Sequence, residues 1–125
     1  VLVSTGGVNT VQLYVVRDGL LFTLPRATLA EKCAWVDTRV LCAIPDALPG
    51  ALYPDDWLLG RVRTEDRLWF IDTVTNVATE VVHPTDENAP AMDIIKVTVS
   101  ADGQYASFVN KNDQTLWLVN LRVQE

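Results

Sequence analysis

The chain has 125 residues, 49% of them hydrophobic and 21% charged, enough apolar matter for one domain with a buried core. Ten basic against sixteen acidic side chains leave a formal net charge of −6, which argues against binding a phosphate backbone. No apolar run approaches the roughly 18–20 residues of a membrane helix, so no membrane insertion is expected within the chain. Residue 1 is Val, and no basic stretch leading into an apolar one follows. The chain is therefore expected to be processed, excised or part of something longer.

Period-2 segments rich in β-branched and aromatic residues dominate, and no 3.6-residue periodicity is sustained, so an all-β chain without helix is expected. The first hairpin runs from Gln12 through Arg17-Asp18-Gly19 to Leu24. Its Asp-Gly pair supplies the positive φ angles of a type I′ turn. A second hairpin pairs 32–36 with 39–44 around Asp37-Thr38. Pro45 to Gly60 carries too many breakers for a regular element and reads as a long loop. Its Leu52, Tyr53, Trp57, Leu58 and Leu59 are expected to pack back onto the sheets. Strands at 68–72 and 77–82 follow, then a polar connection from His83 to Pro90. Strands from Ile94 to Ser100, from Tyr105 to Val109 and from Leu116 to Leu121 complete about nine.

A repeat emerges. Arg67-Leu68-Trp69-Phe70-Ile71-Asp72 parallels Thr115-Leu116-Trp117-Leu118-Val119-Asn120, with the two tryptophans 48 positions apart. The upstream hairpins match at a wider offset, because the second copy lacks the 45–60 insertion. A period near 40–50 residues with four short strands per unit is the pattern of propeller blades.

The stretch 99–121, Val-Ser-Ala-Asp-Gly-Gln-Tyr-Ala-Ser-Phe-Val-Asn-Lys-Asn-Asp-Gln-Thr-Leu-Trp-Leu-Val-Asn-Leu, resembles a WD40-like or TolB-type β-propeller blade. Tyr53-Pro54-Asp55-Asp56-Trp57, Gly60 and Asp66 to Asp72 are similar to bacterial propeller-like proteins. No Gly-His…Trp-Asp pair of the strict WD40 type is present. The resemblance implies antiparallel four-stranded blades within a single unit spanning 1–125. It divides into a partial blade (12–24), a full blade (32–82, with the 45–60 insertion) and a partial blade (94–121). About two to two and a half blades cannot close a ring of four to eight, so the propeller is incomplete. Its open faces would need a protein partner, the remaining blades of a longer chain, or copies of the same chain. Val1-Leu2-Val3 could itself serve as an outer strand for a truncated blade.

Candidate chemistry is sparse. Cys33 and Cys42 are equidistant from the Asp37-Thr38 turn, which places them opposite each other. They are candidates for a cross-strand disulfide and an oxidising, extracytoplasmic or cell-surface setting; the alternative is two small buried thiols. His83 is the single histidine, which speaks against a zinc site. Acids cluster at Asp55-Asp56, Glu65-Asp66 and Asp86-Glu87, where turn and solvation roles are expected first. A ligand site, if built, would draw on Tyr53, Asp55, Asp56, Trp57 and Asp66, since acids and aromatics suit sugar or peptide capture. Trp35, Trp69 and Trp117 read as core packing. No G-x-S-x-G, P-loop or dinucleotide motif occurs, so no catalytic residue, metal or cofactor is expected. The functional reading is a non-catalytic binding or assembly module. Its alternative is an accessory propeller of a larger peptidase or glycosidase whose catalytic residues lie outside this chain.

Overall fold

The computed structural model describes residues 1–82 and 89–121; His83, Asp86 and Glu87 lie outside them. Among these residues ten strands form three antiparallel sheets. The first contains β1 (Leu2–Gly7), β2 (Thr10–Arg17) and β3 (Leu20–Thr23), in the order β1-β2-β3. The second contains β4 (Cys33–Val36), β5 (Arg39–Pro45), β6 (Asp66–Asp72) and β7 (Val77–Val82), in sequence order. The third contains β8 (Ile94–Val99), β9 (Tyr105–Asn110) and β10 (Thr115–Asn120), in the order β10-β9-β8. Among the described residues no helix is long and apolar enough to cross a membrane.

Local chemistry sets these elements. At the β2–β3 turn, Asp18 and Gly19 take φ of 51° and 76°, the left-handed values a two-residue hairpin turn requires. The register that follows pairs Val15 with Phe22 and Tyr14 with Thr23. Asp37, in the β4–β5 turn, has φ of 56°, and Cys33 lies directly opposite Cys42. A disulfide joins the two. β1 is the strand the sequence pattern does not reveal: Leu2–Gly7 carries two glycines and no clean alternation. It pairs along its whole length with β2, from Leu2 opposite Val15 to Gly7 opposite Thr10. Leu2 and Val3, read from sequence as part of an outer strand, thus lie in an edge strand of the sheet that holds the 12–24 hairpin.

The sheets pack face to face, with the second in the middle. Val40, Cys42, Ile44 and Ile71 of its one face join Leu13, Val15 and Leu24 of the first sheet. Leu41, Ala43 and Leu68 of its other face join Ile94, Ala106 and Phe108 of the third. Five consecutive residues of β5, Val40 to Ile44, are consequently buried, the continuous run of a strand covered on both sides. This stacking accounts for the apolar surface on which most of the folding free energy rests.

Pro45 to Gly60 differs from the expected loop: Pro45 ends β5, Leu52 forms a β-bridge with Val8, and Asp55–Leu58 form a single helical turn, α1. The Tyr53–Pro54 peptide bond ahead of it is cis. Tyr53 and Trp57 are buried as expected, whereas Leu52, Leu58 and Leu59 are exposed; one helical turn that points Trp57 inward leaves its neighbour Leu58 outside. The loop passes so close to β1 that a Cβ on Gly6 would lie 2.1 Å from the Tyr53 carbonyl oxygen. Only glycine fits there. Trp35 is also a correction: it is 43% exposed on the first strand of its hairpin, and the buried tryptophan is Trp57.

Candidate functional site

Of the five residues singled out from sequence, Tyr53 and Trp57 share a buried apolar cluster with Val11 and Leu29, whereas their polar groups and the three acids make different contacts. Asp55 is exposed at the start of α1. Asp56 accepts a hydrogen bond from the Leu52 amide at 2.8 Å and pairs with Arg61 at 3.2 Å. Those two interactions, the amide first, hold its carboxyl below the usual carboxylate range. Tyr53 donates its hydroxyl to the Pro49 carbonyl at 2.5 Å. Burial, followed by the nearby Asp56 and Asp93, pushes that phenol up. Tyr53 and Asp56 organise the loop itself.

Trp57 and Asp66 point the other way, into a buried cluster with two residues that sequence reasoning did not select, Lys32 and Asp93. Lys32 ends a 3₁₀ turn (Ala30–Lys32) at the start of β4, and its side chain is 1% exposed. Its ammonium donates to Asp66 Oδ2 at 2.5 Å, Asp93 Oδ1 at 2.7 Å, Thr64 Oγ1 at 3.1 Å and the Ile94 carbonyl at 3.1 Å. The second Asp93 oxygen accepts the Trp57 indole N–H at 2.9 Å and the Thr64 amide at 3.2 Å. Asp66 Oδ2 also accepts the Ile94 amide at 2.8 Å, while Asp66 Oδ1 is buried without a partner.

The topology explains the convergence. Asp66 opens β6 and Asp93 immediately precedes β8, and the Asp66 amide bonds the Met92 carbonyl at 2.9 Å. The second and third sheets therefore meet at this point, and α1 caps it with the Trp57 ring. Lys32 and Lys111 stand 5.1 and 4.9 Å from that ring's centre, within cation–π range. Two carboxyl groups thus face one amine. Burial pushes the Asp66 carboxyl up, and the Lys32 ammonium only partly opposes it.

Such an arrangement is sealed from solvent, so it holds sheets together rather than capturing a dissolved ligand. Removing one partner of a buried charge set leaves the others uncompensated, at a cost of about 3–5 kcal/mol. Among the described residues no group of three or more metal-ligating side chains converges. Open surface lies on the outer grooves. One, of about 430 Å³, is lined by Arg39, Phe70, Asp72, Thr75, Val77 and Thr79, with the Arg39 guanidinium 4.5 Å from the Phe70 ring centre. Another, of about 280 Å³, holds Arg26 stacked 4.1 Å over Trp69.

No protein-family model, curated protein or solved structure matches the chain.

Proposed function

We propose that this chain is a non-catalytic assembly module of β-propeller type, whose end sheets take further sheets of the same kind. One observation carries the reading. Leu68 on β6 and Leu116 on β10 occupy equivalent positions of the repeat, yet Leu68 is 0% exposed and Leu116 75%. The third sheet covers Leu68; among the described residues nothing covers Leu116. Leu118, equivalent to Phe70, is likewise 75% exposed, whereas Trp117 and Val119 between them face the second sheet. The uncovered row thus repeats the pattern that stacking buries one sheet earlier.

Two leucines side by side on an open strand face, with Val109 opposite Leu116, favour association over solvation. Copies of this chain supply the missing sheet when it is isolated. Light scattering is expected to give a mass that is a multiple of 13.9 kDa. Leu116→Asp with Leu118→Asp should return it to that of one chain. A wild-type protein that remains a single chain at every concentration would overturn the proposal.

A further inference from the structure

The Lys32 cluster has a chemistry beyond holding two sheets together. An amine and a carboxyl from distant parts of the sequence are pressed together in a site that excludes water, with a second carboxyl touching the amine. We propose that Lys32 Nζ and Asp66 Cγ condense spontaneously to an intramolecular amide, with Asp93 carrying the proton between them.

The geometry places both carboxyls against the amine. Lys32 Nζ lies 2.5 Å from Asp66 Oδ2, and both side chains are at most 1% exposed. Asp93 Oδ1 is 2.7 Å from the same nitrogen, and its other oxygen is fixed by Trp57 and Thr64, so it is held in place as a shuttle. The ammonium has three protons for four acceptors, and Asp66 Oδ1 has none to accept. Condensation eliminates the orphaned oxygen and turns the remaining Asp66 oxygen into an amide carbonyl. Burial that raises the Asp66 carboxyl also makes its neutral acid accessible.

The step balances. One proton passes from the Lys32 ammonium through Asp93 to Asp66, giving amine and carboxylic acid. The amine lone pair attacks Asp66 Cγ and the C–N bond forms. Asp93 takes a proton from that nitrogen and returns it to Oδ1, and the Cγ–Oδ1 bond breaks with loss of one water. No oxidant or other co-reactant takes part. Fixed proximity of this kind is worth effective molarities of roughly 10⁵–10⁸ M, and a dry site opposes the reverse hydrolysis.

The test is the mass of the folded 125-residue chain after full reduction and denaturation. The expected result is a chain lighter than its sequence by one water, with a branched peptide joining Lys32 to Asp66 after digestion. Succinimide formation at Asp18-Gly19 or Asp102-Gly103 would lose the same water, so location decides. A water loss placed at either site, or a folded chain of full mass with an unlinked Lys32 peptide, overturns the proposal. Asp66→Asn should lose ammonia in place of water, and Lys32→Arg should keep its full mass. Asp93→Asn should slow the appearance of the branched species after refolding by roughly 10²–10⁴-fold, as expected on losing a general acid–base group.

Discussion

Trp57 shows how a residue's burial changes what a substitution there would report. Its indole N–H bonds the buried Asp93 carboxylate at 2.9 Å, and its ring closes the cluster from the loop side. Trp57→Phe keeps most of the ring and removes the donor. It should destabilise the fold by about 1–3 kcal/mol, the cost of stripping a buried charge of one hydrogen bond, measured from urea midpoints. Asp66 and Trp57 were visible in the sequence, the one as an acid beside Glu65, the other as an aromatic in a loop. Lys32 and Asp93 were not, because a charged residue at the end of an apolar strand looks the same whether it turns outward or inward. Asp93, set between Met92 and Ile94-Ile95, was the clue available: a lone acid in an apolar run.

Among the elements, the turns carry the pH dependence. Asp72 accepts the amides of Val74 and Thr75 at the β6–β7 turn, the Thr75 bond lowering its carboxyl most. Asp113 accepts the Thr115 hydroxyl and amide before β10, with the same effect. Each folded-state pKa lies below its unfolded value. The stabilisation is therefore present above the ordinary aspartate range and is lost as pH falls through the depressed values. Replacing both residues with Asn keeps an acceptor oxygen and removes the titration. Urea midpoints of that double variant should fall less than those of the wild type between neutral and acid pH. The hairpins at 12–24 and 32–44 were legible because Asp-Gly and Asp-Thr turns fix register locally. Of β1 only the Val1-Leu2-Val3 start was legible; its continuation to Gly7 was hidden because its glycines answer to the loop above it. The helical turn in 45–60 was hidden because four residues are too few to display a period.

For the molecule as a whole, the three sheets differ in how they are enclosed. The middle sheet is covered on both faces, and its inner strands β5 and β6 are also paired along both edges. The third sheet is covered on one face and ends at β10, whose outward leucines are exposed. The antiparallel sheets were legible from the period-2 segments and the hairpin turns. Which of the repeated positions are exposed was not, because exposure depends on what lies beyond the last strand.

That unequal enclosure grades how long each backbone amide keeps its proton. In heavy water the β5 and β6 amides should be the last to take up deuterium, because releasing them requires opening two interfaces at once. Those of β3 and β10 should go first. A time course in which all three sheets label together would mean that the stack opens only as one cooperative unit.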